Sequence, residues 1–133
     1  SKIQGTILMS KNIYQNDLKD RTFRFARDVR VLVKTLTSGM VNREDSRQVT
    51  RSSGSVAANY IEASEALSKK DEVYRIRICR KEAKESKLWL ELLLVSNDAS
   101  AINEISRLID EADQLTKIFS SIIIKLENQL LQR

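Results

Sequence analysis

The sequence predicts an all-α domain, an antiparallel up-down-up-down four-helix bundle with left-handed packing. Three observations carry this expectation. There is no proline and there are only three glycines, so a turn-rich β architecture lacks the residues its corners need. Apolar and small residues recur at alternating intervals of four and three in four separate stretches, the spacing of one helical face. Between those stretches lie short polar breaks, and short links make consecutive helices antiparallel neighbours.

The first stripe is Leu18, Thr22, Phe25, Val29, Leu32 and Leu36, and it stops at Thr37, Ser38 and Gly39. Glycine there suits the left-handed conformation that closes many helices. A second helix starts near Asn42 to Ser46, with the stripe Val49, Ser53, Val56, Tyr60, Ala63 and Leu67. Ser68 reads as an N-cap for the third, with Asp71 and Glu72 near its positive end. That helix carries Ile76, Cys79, Ala83, Ser86, Leu90 and Leu93, flanked by Val73, Trp89 and Leu94, and ends at Ser96, Asn97 and Asp98. The fourth holds Ala101, Ile105, Leu108, Ala112, Leu115, Phe119, Ile122, Leu126 and Leu130. A sustained seven-residue repeat favours the left-handed crossing of bundles, near 20°. Residues 1–17 are expected to form a flexible N-terminal arm and residues 18–133 the bundle domain.

Several chemistries drop out by composition. Histidine is absent, which removes Ser-His-Asp and Cys-His triads, HExxH zinc sites and Glu-x-x-His di-iron motifs. No phosphate-cradling glycine loop is present. Cys79 is the sole cysteine and lies on the core stripe, which reads as a packed thiol in a reducing compartment, so a cytoplasmic location is expected. No apolar run reaches the roughly 18 to 20 residues of a membrane span. The expectation is therefore no enzyme, no cofactor, no metal and no membrane partner.

Charge is the main pointer to a partner. Residues 18–51 hold nine Lys and Arg against four Asp and Glu, and residues 69–87 hold eight against four, whereas residues 98–133 hold four against six. Arg24, Arg27 and Lys34 leave the apolar stripe of the first helix; Arg43 and Arg47 lie on the second; Arg77, Arg80, Lys81 and Lys84 lie on the third. Ridges of this kind neutralise phosphates with little sequence preference. The competing reading is a solvated face laced with intrahelical pairs such as Asp28 with Arg24. Tyr74 is expected to face outward, and the other aromatics of the bundle to be core.

The segment from Arg51 to Ala63 is built from small residues around Gly54, which reads as a close interhelical seam against another backbone or a large side chain such as Trp89. Arg51, Asn59, Glu62, Glu82 and Glu85 form the expected structural network within that seam.

Three signatures make the chain resemble the 23S rRNA intervening-sequence family of four-helix bundle proteins, whose relatives include the accessory variability protein of diversity-generating retroelements. They are Leu18 to Leu36 with Arg21-Thr22 and Phe25-Ala26; Arg51-Ser52-Ser53 leading to Ala58-Asn59-Tyr60-Ile61-Glu62-Ala63; and Ser68-Lys69-Lys70-Asp71 followed by Lys81 through Leu90. The resemblance runs from about Leu18 to Leu126. It implies an antiparallel four-helix bundle, often assembled into a homopentamer, with nucleic-acid binding in some members; a protein partner such as a reverse transcriptase is the second expectation. The functional expectation is a non-enzymatic oligomeric bundle that binds RNA or DNA through its basic helix faces. The alternative is a protein–protein scaffold that makes no direct contact with nucleic acid.

Overall fold

A computed structural model describes residues 2–132, with side chains from Asp17 to Gln132. Four helices account for nearly all of them: α1 (Lys2–Thr35), α2 (Met40–Ser64), α3 (Lys69–Ser96) and α4 (Ala99–Leu131). The expected arm falls almost entirely on the stretch of α1 whose side chains lie outside the described residues. Each helix packs on its sequence neighbour, and α1 closes the ring against α4.

Side-chain pairs between helices report their direction. On α2 and α3, Arg51 meets Glu85, Val56 meets Cys79, and Asn59 meets Arg75, so one number rises as the other falls. The same opposition holds for Lys87 with Asp113 and Arg77 with Glu127 on α3 and α4, and for Arg21 with Glu111 and Asp28 with Arg107 on α1 and α4. The helices therefore alternate up and down.

The core is the set that the periodicity selects. Phe25, Val29, Val56, Leu90, Leu93, Ile105, Leu108, Leu115 and Phe119 are buried. Each such side chain contributes about 1.5–3 kcal/mol by leaving water. Tyr60 and Phe119 meet across the bundle axis with ring centroids 6.4 Å apart. Two serines sit fully buried in the α2–α3 seam. Ser86 Oγ lies 2.8 Å from the Glu82 carbonyl, Ser52 Oγ lies 3.4 Å from the Val49 carbonyl, and the two hydroxyls stand 2.7 Å apart, where either can donate to the other.

Helix ends follow their local chemistry. Ser68 Oγ accepts from the Asp71 amide at 3.1 Å, as its position before α3 predicts. Asp98 caps α4 by accepting from the Ser100 amide at 3.2 Å. Asn42 and Asn97 exchange two amide hydrogen bonds of 3.0 Å, joining the first turn of α2 to the C-cap of α3.

Four expectations change. Gly39 is extended, at φ 177°, and precedes α2 as its N-cap residue, so α1 closes without a left-handed glycine. Leu67 is 99% exposed because α2 ends at Ser64, before the stripe would reach it. In the Ile122–Ile124 run of α4 the buried isoleucine is Ile123, with Ile122 only packed against the core. Gly54 faces the Arg30 guanidinium of α1 rather than Trp89: a Cβ there would lie 3.0 Å from Arg30 Nη2.

Candidate nucleic-acid interface

Basic residues fall into two groups once their partners are known. On α1, Arg24 pairs with Asp20 at 3.1 Å and Arg27 with Asp28 at 3.0 Å, while Arg21 grips Glu111 with two bonds of 2.9 and 2.8 Å. The pair expected between Arg24 and Asp28 is replaced by these. Arg107 on α4 reaches Asp28 at 2.9 Å and Glu104 at 2.6 Å. Burial of Asp28 alone would raise its pKa, but hydrogen bonds from Arg107 and Arg27, with their charge, outweigh it and hold the carboxyl below its ordinary value. On α2, Arg47 is held by Glu44 at 3.0 Å, whereas Arg43 is exposed with no such pair among the described residues. Lys34 is likewise exposed at the far end of α1.

Helix α3 differs. Its outward side is one continuous stripe at three- and four-residue spacing, all of it exposed: Lys70, Tyr74, Arg77, Lys81 and Lys84 along the N-terminal half, then Leu88, Leu92 and Val95. Lys70, Lys81 and Lys84 make no ion pair or hydrogen bond with the described residues. Arg77 pairs with Glu127 at 3.1 Å with both groups about half exposed, a contact of little energetic weight in water. Arg80 turns toward α4 and touches Ser120 at 3.5 Å. Beyond it, Lys117 and Lys87 donate hydrogen bonds to Asp113, which hold that carboxyl below its usual range. Of the expected nucleic-acid residues, the fold thus aligns Arg77, Lys81 and Lys84 on one ridge with Arg80 at its edge. Arg24, Arg27, Lys34, Arg43 and Arg47 lie on other helices.

The expected network is partly assembled. Arg51 Nη2 lies 3.3 Å from both Glu82 and Glu85, with Glu82 buried. Asn59 belongs to a separate relay: its amide donates to the Ser55 carbonyl at 2.9 Å, and its Oδ1 accepts from Arg75 Nη1 at 3.1 Å. Arg75 in turn stands 5.6 Å from the centre of the Tyr74 ring, a cation–π distance. Glu62 is exposed and joins neither group.

Two features depart from the sequence expectation. Lys70 extends the α3 ridge by one turn, and its place four residues before Tyr74 is the signal that locates it. Phe23, expected in the core, is 59% exposed and lies away from the α1 stripe. Cys79 is fully buried, and desolvation pushes its thiol pKa up to about 12, so the thiolate nucleophile is not formed at neutral pH. Among the described residues, no three His, Cys, Asp or Glu side chains gather where they could hold a metal ion. Nor, over those residues, is any helix long and apolar enough to cross a membrane.

These properties describe a small antiparallel bundle protein with an exposed ridge of largely unpaired cations. The chain belongs to the 23S rRNA-intervening sequence protein family, which it matches over residues 14–121. It is also similar to the crystal structure of a protein of unknown function from the S23 ribosomal protein family of Bacteroides thetaiotaomicron. That similarity has 31% identity and a TM-score of 0.68, covering 80% of this chain and 97% of the other. No curated protein matches the chain at a significant level.

Proposed function

We propose that this protein is a non-enzymatic, homo-oligomeric bundle with an RNA-related role, which binds nucleic acid through phosphate contacts along α3. The observation that carries the reading is the divided stripe. Its basic half offers Lys70, Lys81 and Lys84 without internal acidic partners, so a phosphate meets them with no carboxylate to displace. Arginines on α1 would first have to leave Asp20, Asp28 or Glu111. Membership of a family named for an rRNA insertion supports RNA as the partner, and resemblance within that family supports a pentamer.

A salt titration tests the binding. Affinity for generic duplex RNA should fall steeply with salt, by a log–log slope of about −0.9 per phosphate contact as measured on duplex DNA. Lys81→Gln with Lys84→Gln should flatten that slope and leave helicity unchanged. The pair Arg24→Gln and Arg27→Gln should flatten it less. Absence of binding by the parent protein at low salt would overturn the reading.

A second reading is a protein-interaction scaffold, and the apolar half of the stripe favours it. Leu88, Leu92 and Val95 stand at i, i+4 and i+7 and are all exposed, the anchor spacing by which a helix docks on a partner. Retained partner binding by a Lys81→Gln, Lys84→Gln variant that has lost RNA would separate the two.

A further inference from the structure

We infer that Tyr74 is a stacking platform for one unpaired base, which makes single-stranded nucleic acid the preferred partner of the α3 ridge. The inference rests on the reading that this ridge binds phosphates, and it narrows the class of strand that fits.

Tyr74 is 60% exposed in the second turn of α3, with the core positions Val73 and Ile76 buried beside it. Its exposure is not a matter of fraying, because α3 continues for a full turn before it and several turns after it. Lys70 lies one turn before Tyr74 on the same side, Arg77 nearly one turn after, and Lys81 two turns after. A ring so placed has cations on both sides along the helix axis, so a strand laid on the ridge would set phosphates on the cations and a base over the ring.

The ring is also held. Arg75 stands against it at 5.6 Å, and Arg75 is fixed by its hydrogen bond to Asn59, itself anchored to Ser55 on α2. The relay reaches from the α2 backbone to the aromatic ring and limits the rotamer freedom that binding would otherwise remove. Cation contact on the ring adds to stacking on an electron-rich base. A duplex keeps its bases stacked internally and would offer this ring only sugar and phosphate.

The test uses the full chain and labelled oligonucleotides of equal length: single-stranded oligoadenylate RNA, the same sequence as DNA, and a blunt duplex RNA. Tyr74→Leu should weaken binding to both single strands by about 5- to 150-fold, the worth of one stacked base, and leave duplex binding unchanged. Tyr74→Phe should bind single strands as the parent does. Equal loss on duplex and single strands, loss on only one of the two sugars, or no loss at all would overturn the stacking role. Those results leave duplex binding by the parent intact and so spare the phosphate reading. Failure of the parent to bind any of the three at low salt would overturn both.

Discussion

Gly54 leaves room for one side chain that ties two helices together. Arg30 donates from Nη1 to the Ala26 carbonyl on its own helix at 2.9 Å and from Nη2 to the Thr50 carbonyl on α2 at 3.2 Å. To do so its guanidinium passes over the glycine. Alanine at position 54 would place a methyl 3.0 Å from the guanidinium tip, which is exposed and can yield by a few tenths of an ångström. The gain in helix propensity is about 1 kcal/mol, so Gly54→Ala should raise the melting temperature. Gly54→Leu should lower it, because the larger chain displaces Arg30 from Thr50, at a cost of about 1–3 kcal/mol for overpacking. Calorimetry on both variants checks this. A lower melting temperature for the alanine variant would show that Arg30 cannot move.

At the scale of single helices, charge pairs line the α1–α4 boundary where small residues line the α2–α3 seam. Arg21 with Glu111 and the cluster of Arg27, Asp28, Arg107 and Glu104 span or flank the α1–α4 boundary. Asp28 has its pKa lowered in the folded protein, so its contribution is complete above the ordinary aspartate value of about 3.9. It is lost as pH falls through the lowered folded value. Amide hydrogens of α1 should therefore lose protection on acidification below about pH 4 before those of α3 do, and Asp28→Asn should remove much of that pH dependence. Equal loss of protection in α1 and α3 would contradict it. Such boundary pairs cannot be read from the chain, because they require the register between helices 79 to 90 residues apart. What is legible is the stripe within each helix. Its errors have local causes: Leu67 keeps the spacing of α2, but spacing does not report that the chain must turn to present Ser68 as a cap. Among Ile122, Ile123 and Ile124, the drift of a 3.6-residue turn against a seven-residue count moves the buried position by one. Phe23 is apolar in type yet off the stripe, and the α3 ridge is legible as charge but not as unpaired charge.

For the whole molecule, the α3 stripe divides into a basic half, where the proposed nucleic-acid binding falls, and an exposed apolar half. If copies associate through Leu88, Leu92 and Val95, Leu92→Glu should lower the mass seen by light scattering toward the 15.2 kDa of one chain. Its helicity should stay unchanged, since the residue is exposed. Retention of a multimeric mass would place the interface elsewhere. The Asn42–Asn97 clasp has a different kind of consequence, one of chemical ageing. Each amide gives a hydrogen and takes one, and each also donates to a backbone carbonyl, Thr37 for Asn42 and Leu93 for Asn97. Hydrolysis of the Asn97 amide to a carboxylate would turn two donated bonds into oxygen facing oxygen and put negative charge at the C-terminal end of α3, where the helix dipole disfavours it. A lesion at a single side-chain nitrogen would thereby loosen the tie between the first turn of α2 and the end of α3.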